Sequence, residues 1–308
     1  MPEYPDVVVY LESLEPRIVG KTIDGFLGKS PFLVRTFDPP IEEIVGKKVL
    51  SLERIGKRLV WELEDDLFLV IHLMIAGRLR WRPPGTKPTG KIALATFNFE
   101  GGTLLFTEAS SQKRASLHLV RGRDALAALD PGGLELFDCT AEEFAERLRL
   151  RNHTLRRALT DPKLFSGIGN AYSDEILHHA RLSPVALTQK LDDEKVERLF
   201  ASIRRVLTDW TDRLRAAVGD GFPEKVTAFR PEMAVHGRAG EPCPDCGEAI
   251  QRIVFAANET NYCAQCQTGG KLLADRALSR LLKKDWPKTL EELEEHRQSL
   301  NDELGPPA

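Results

Sequence analysis

Four cysteines in two pairs constrain this chain more than any other feature. Cys243-Pro244-Asp245-Cys246 and Cys263-Ala264-Gln265-Cys266 are separated by the sixteen residues Gly247–Tyr262. Two such turns have the form of a tetrahedral four-cysteine zinc site, because each points two thiolates inward at the reach of one small ion. The intervening span is long enough for a β-hairpin that presents its tip to a partner. Two disulfides, or four cysteines that fill a core, are the alternatives; the intracellular look of the rest of the chain favours one structural zinc. A ribbon of this kind serves many kinds of protein, so its purpose has to be read from the remaining residues.

A chain of 308 residues is long for a single core, and two or three domains are expected. There is no internal repeat or low-complexity tract. The longest apolar run, Leu67–Ala76, is broken by His72 and is far short of a membrane span. The N-terminus lacks a basic-then-apolar signal pattern, so the expected location is the cytoplasm. Cys139, the fifth cysteine, reads as a small buried hydrophobe. The net charge of −3 argues at first against a polyanionic partner, but the charge is unevenly placed. Residues 78–123 hold nine Lys/Arg against two acids, and residues 147–157 hold five Arg and no acid. Residues 285–308 hold seven acids against two bases, which exceeds the whole deficit. A basic body with an acidic tail fits nucleic-acid binding.

Along the chain, residues 5–19 read as a helix, with Pro5 in its first turn and Val7, Leu11, Leu14 and Ile18 on one face. Ahead of it stands Met1-Pro2-Glu3-Tyr4-Pro5-Asp6. Removal of the initiator Met leaves Pro2 as a free secondary amine, whose pKa near ~8 keeps part of it unprotonated and nucleophilic. Glu3 beside it can act as a general acid; a plain Pro-rich helix start is the simpler reading. From Thr22 to about Val120, short strands (Leu59–Leu63, Leu67–Leu73, Ile92–Phe99, Thr103–Thr107) alternate with turns, which predicts a β-sandwich or flattened barrel. Gly56-Lys57-Arg58 leads into the first of these strands, which puts Lys57 on a hairpin tip or strand start. Residues 124–140 read as a linker, and helices are expected over 141–150, 152–160, 169–180 and 193–217. The third opens on Gly167-Ile168-Gly169-Asn170, where backbone amides and the helix dipole favour phosphate. Residues 218–234 read as a loop, 271–284 as a basic helix (Lys271, Arg276, Arg280, Lys283, Lys284), and 290–304 as an exposed acidic helix or partly disordered tail.

Taken together, these pieces resemble the Fpg/Nei family of DNA glycosylases over about residues 1–268. Pro2-Glu3-Tyr4-Pro5-Asp6, Gly56-Lys57-Arg58, Gly167 to Glu175, and Val235-His236-Gly237-Arg238 leading into Cys243 carry the likeness through their order and spacing. The resemblance implies an α+β multidomain fold. Its parts are an N-terminal β-sandwich (1–123), a linker (124–140), a helical helix–two-turns–helix domain (141–234), a four-cysteine zinc ribbon (235–270) and a basic and acidic extension (271–308). It implies a base-excision-repair glycosylase with AP lyase activity, monomeric, acting on double-stranded DNA with damaged bases or abasic sites. Pro2 is the implied nucleophile, Glu3 the proton donor and Lys57 a proton-transfer and phosphate residue. Asn170 and His72 are implied phosphate contacts. Ile75 stands in the void-filling position, and Lys113 or Arg114 would probe the duplex.

The departures bear on specificity. Asn258 stands where the family carries a ribbon arginine, five positions before the third cysteine, and Arg252 is a candidate substitute. Thr107-Glu108-Ala109-Ser110-Ser111-Gln112-Lys113-Arg114 replaces the family's Thr-Asp-Pro-Arg-Arg-Phe-Gly, so the wedge Phe is absent. Residues 219–234 lack the family's lesion-capping pattern. A non-catalytic DNA-binding protein on the same fold is the alternative function, and it predicts DNA affinity without a covalent intermediate.

Overall fold

The computed structural model describes residues 1–30, 32–255, 258–274 and 276–304, of which 255, 258, 276–278, 284, 297 and 300–304 are described by their backbone. The chain divides into two compact units. The first comprises Met1–Glu135, Phe165–Ile168 and Leu207–Ala228, and the second Leu136–Leu164, Gly169–Val206 and Phe229–Ala308.

The first unit opens with α1 (Tyr4–Ile18), with Pro5 in its first turn. Val7, Tyr10, Leu14 and Ile18 recur at three- and four-residue steps and are fully buried. Strands follow: β1 (Gly25–Gly28), β2 (Val49–Ile55), β3 (Arg58–Leu63), β4 (Leu67–His72), β5 (Gly77–Arg82), β6 (Ala93–Phe99), β7 (Gly102–Glu108) and β8 (Ser116–Arg121). They form two four-stranded antiparallel sheets, ordered β1-β6-β7-β5 and β2-β3-β4-β8. This is the expected sandwich. Period-two alternation sends Leu59, Trp61, Leu63, Leu117 and Leu119 into the shared core. There Trp61 meets Phe97 of the other sheet edge-on, ring centres 5.1 Å apart. On the outer face of the second sheet, Val60, Phe68, Val70 and Val120 are covered by Leu126 of α2 (Arg123–Ala127). That cover explains why β4 is apolar at successive positions: it is buried on both sides. It also means that the stretch expected to begin a linker at residue 124 instead begins with a helical turn.

The second unit contains α3 (Ala141–Arg149), α4 (Leu155–Thr160), α5 (Asn170–His179) and most of α6 (Asp193–Val218), whose last turns belong to the first unit. Thr140 and Glu143 close a reciprocal cap on α3. Phe144 of α3 and Phe200 of α6 stack at 5.0 Å. The ribbon follows as a hairpin of β9 (Gln251–Phe255) and β10 (Asn258–Tyr262), then α7 (Ala264–Thr268). Two further helices, α8 (Arg276–Leu282) and α9 (Leu290–Leu304), complete the chain.

The basic helix expected from residue 271 therefore starts five residues later. Gly269 and Gly270 are both left-handed (φ 62° and 84°), which ends α7 and turns the chain back on itself. Leu272 is buried and its N–H donates to the Lys288 carbonyl at 2.8 Å, while the Leu290 N–H donates to the Gly270 carbonyl at 3.1 Å. Tyr262, Ala264 and Leu272 form a small core with Ile253, Leu273, Leu290 and Leu293, so the extension packs on the ribbon.

Candidate active site and metal centre

Pro2 and Glu3 are buried at the start of α1. The Glu3 N–H donates to the Asp6 carboxylate at 3.0 Å, and the Glu3 side chain accepts from the Asp6 N–H in return. Two consecutive carbonyls then tie this start to the lysine turn. The Tyr4 N–H donates to Gly167 at 2.9 Å, and Lys57 Nζ donates to Ile168 at 2.7 Å. Gly167 has to be glycine: its φ is +83°, and an added Cβ would lie 2.9 Å from Tyr4 Cβ.

Arg54 locks the same corner. Its guanidinium donates to the Gly56 carbonyl at 2.6 Å and to Ser166 Oγ at 2.9 Å, pairs with Glu135, and lies over the Tyr4 ring at 4.7 Å. The sequence reading missed Arg54, Glu135 and Ser166. The one available signal was an arginine two residues before Gly56-Lys57.

Burial is the main influence on the amines here. It lowers the Met1 ammonium from its ordinary value, with Glu3 opposing and Arg78 and Lys57 adding to the fall. Burial likewise lowers Lys57, with Glu3 opposing. Amines held in a dry corner, where burial outweighs the neighbouring carboxylates of Glu3 and Asp6, lose protons more readily than they would in water, which is the condition for nucleophilic and proton-transfer chemistry.

His72 ends β4, opposite Arg58 on β3. It is pushed down to about 4, first by burial and then by Arg58, Lys57 and His118, so at neutral pH it is an uncharged donor or acceptor. Just past it, the turn Leu73–Gly77 closes so tightly that a Cβ at Gly77 would lie 2.2 Å from the Leu73 carbonyl oxygen. That turn holds Ile75 out, 62 % exposed.

The 109–115 loop is organised by Glu108, a buried carboxylate that accepts the N–H groups of Arg114 (3.1 Å) and Ala115 (3.2 Å). Lys113 folds back to donate to the Glu108 carbonyl, whereas Arg114 reaches the Gln112 side-chain oxygen at 2.7 Å. The two duplex-probing candidates are thus distinguished: Lys113 is tied to the loop base and Arg114 to the loop tip. Asn170 is the exposed first residue of α5, following Gly169 at the N-cap. It belongs to the second unit, while Pro2, Glu3, Lys57, His72, Ile75, Lys113 and Arg114 belong to the first.

The four ribbon cysteines converge: their sulfur atoms all lie within 4.8 Å of one another. Cys243–Cys266 and Cys246–Cys263 separations are 3.9 and 3.4 Å. Tetrahedral thiolates around zinc, with Zn–S of about 2.3 Å, sit about 3.8 Å apart, so the donor set fits. These four residues hold one structural zinc, which cross-links the two turns of the ribbon. Beside it, His178 Nε2 lies 3.4 Å from Cys243 Sγ, and Asp245 pairs with Arg181 at 2.7 Å.

Helix α5 braces the ribbon through two adjacent acids. Glu175 accepts the N–H groups of Ala234 (2.7 Å), Val235 (2.9 Å) and His236 (3.0 Å). Asp174 accepts from His236 Nδ1 at 2.8 Å and from the Asn261 N–H at 3.1 Å. Burial pushes Asp174 up to about 6 against the pull of His236. Arg156 of α4 donates to the Glu259 carbonyl at 2.8 Å. Arg252, the suggested substitute for the absent arginine, pairs in register with Asn261 and lies 3.8 Å from the Glu259 carboxylate. The side chains of Asn258, Arg276 and Lys284 lie outside the described residues.

Three family models match in order: the formamidopyrimidine-DNA glycosylase N-terminal domain (residues 1–114), the formamidopyrimidine-DNA glycosylase H2TH domain (129–213) and the zinc finger found in FPG and IleRS (240–269). The formamidopyrimidine-DNA glycosylase of Desulfitobacterium hafniense is 32 % identical over 280 residues, covering 87 % of this chain and all of that protein. Among solved structures, Lactococcus lactis Fpg with abasic-site DNA is similar at a TM-score of 0.75 and 29 % identity, covering 86 % of this chain and 99 % of that one. The wild-type L. lactis enzyme with DNA containing an oxidised pyrimidine is similar at 0.75 and 30 %, covering 87 % and 100 %. The sandwich, the helical unit, the four-cysteine ribbon and full-length identity above 30 % agree: the chain belongs to the formamidopyrimidine-DNA glycosylase family.

Proposed function

We propose that Pro2, Glu3 and Lys57 carry the chemistry of a base-excision-repair DNA glycosylase and AP lyase. The observation that carries the reading is the paired anchoring of Tyr4 and Lys57 on the consecutive carbonyls of Gly167 and Ile168, which puts the chain start and the lysine at one corner. A damaged nucleotide is rotated out of the duplex. With Met1 removed, the Pro2 nitrogen attacks the anomeric carbon of its sugar. The glycosidic bond breaks and the electron pair leaves with the base. Glu3 protonates the ring oxygen, the sugar opens, and the nitrogen is left as an iminium. The iminium acidifies the neighbouring sugar C–H; loss of that proton expels the 3′ phosphate and cuts the strand. Lys57, lowered by burial, is suited to take or relay that proton.

Asn170 and His72 are assigned to backbone phosphates, Ile75 to the gap left by the rotated base, and Arg114, ahead of the tethered Lys113, to probing the duplex. With residues 109–115 in place of the family's wedge sequence, oxidised pyrimidines, other lesions and abasic sites are as open to this chain as the family's usual oxidised purines. The proposed active form is a monomer, in the cytoplasm and on the chromosome while it works.

The test is borohydride trapping on a duplex with one abasic site, beside a Pro2→Gly variant, after mass measurement has shown Met1 removed. A trapped complex that disappears in the variant supports the amine nucleophile. A zinc-loaded, Met1-free protein that binds the duplex and traps nothing overturns it in favour of a non-catalytic damage-binding protein.

A further inference from the structure

The outer face of the second sheet carries a row of polar side chains, of which only His72 has so far been given a part. Arg58 lies opposite His72 across β3 and β4, and His72 lies opposite Ser116 across β4 and β8. Directly opposed residues project from the same face. Two residues along β8, on that face, stands His118, whose Nε2 is 3.4 Å from Ser116 Oγ. Beyond β8, Val34 bridges Leu117 in parallel and the Arg35 N–H donates to the Leu117 carbonyl at 2.9 Å, so Arg35 flanks His118. Arg35 is exposed, Arg58, His72 and His118 are half-buried and Ser116 is buried, and the Arg58 guanidinium also donates to the Leu129 carbonyl. The same face is apolar under Leu126 at its far end, so the polar row begins where the helix cover stops.

The electrostatics of the row suit an anionic ligand. Besides burial, every group bearing on His118 is cationic: Arg58 and Arg35. His72 is surrounded by Arg58, Lys57 and His118. Asp130 bears on Arg58 alone of these groups. Both imidazoles are thereby held as neutral N–H donors among cations, a set suited to a phosphate. From Arg58 to Ser116 the row crosses two strand spacings, about 10 Å, which is longer than one phosphate group.

We propose that Arg58, Ser116, His118 and Arg35 form a rail for consecutive phosphodiesters of a nucleic-acid strand, continuing the contacts assigned to Lys57 and His72. The proposal rests on the glycosylase reading for the identity of the strand. It adds residues of β8 and of the segment before Thr36 that the reaction itself does not call on.

The full-length zinc-loaded protein is titrated with two labelled duplexes, one undamaged and one carrying a stable abasic analogue, at several salt concentrations. Arg35→Gln is expected to weaken both duplexes by the same factor and to reduce the salt slope by about 1. His118→Ala is expected to weaken both by about two- to tenfold without changing the slope, with partial recovery in His118→Gln. Wild-type affinity and slope in both variants overturn the rail. A loss confined to the abasic duplex also overturns it, because that places the residues at the lesion instead. Inorganic phosphate, titrated while the His118 ring resonances are followed, separates the sources: saturation at submillimolar phosphate, with no response to duplex, marks a lone-anion site and overturns the strand assignment. If wild-type protein binds both duplexes and traps nothing on borohydride, the glycosylase reading fails while the rail stands.

Discussion

His72 sits among Arg58, Lys57 and His118 and stays neutral down to about pH 4, whereas an unfolded histidine titrates near 6.5. The unfolded chain therefore binds the extra proton between those values, and this contribution to stability is full above about 6.5 and lost as pH falls toward 4. Its upper bound is about 3 kcal/mol. Thermal melts of wild type and His72→Asn at pH 7.5 and 4.5 check it: acidification should lower the wild-type midpoint by more than the variant's. Gly167→Ala forces a side chain into a left-handed position against Tyr4. It is expected to lose about 1–3 kcal/mol in denaturant titration and to slow Schiff-base trapping, because the same strain shifts the start of α1. Gly167 and Lys57 were legible in sequence only through the order and spacing of the family's motifs, since by position alone the first fits an ordinary helix–helix turn and the second an ordinary surface lysine. The Arg54–Ser166 and Arg54–Glu135 contacts were not, since they join residues 112 and 81 positions apart and no periodicity links them.

At the level of elements, the strands were readable because alternation shows which face is buried, and β4 stood out because it is apolar on both. The extension was misread for a related reason. Leu272 and Leu273 beside basic residues look like the start of an amphipathic helix, but the paired left-handed glycines 269 and 270 direct them under Tyr262 instead. Burial raises the Tyr262 hydroxyl to about 12, and it accepts the Leu273 N–H at 2.8 Å. Tyr262→Phe leaves that N–H without its acceptor and should destabilise the ribbon and extension by about 1–3 kcal/mol, read from amide exchange of residues 271–273. Zinc removal acts more broadly. Chelation, or Cys246→Ser, should unfold the hairpin and release the extension together, weakening DNA affinity while a melting transition from the sandwich persists in calorimetry. Loss of every transition together would mean that the sandwich does not fold without the zinc.

For the whole molecule, the acidic residues of 285–308 offset a basic body. That segment carries −5, so its removal takes the net charge from −3 to +2. A chain ending at residue 284 should bind duplex DNA more tightly at low salt, with the difference vanishing as the ionic strength rises and the Debye length shrinks. The division into two units was only partly legible, because the first is assembled from three separate stretches of sequence. That discontinuity governs when the enzyme can come into being on the ribosome. Pro2 and Lys57 are made early, yet the Gly167 carbonyl that holds the start of α1 and the Ile168 carbonyl that holds Lys57 arrive more than 100 residues after Lys57, and Leu207–Ala228 later still. On the proposed mechanism, the Pro2 amine would then be made long before the corner that directs it exists. Synthesis itself then acts as a time lock: a chain stopped at residue 135 should trap no abasic DNA in the borohydride assay, while one carried through the ribbon should.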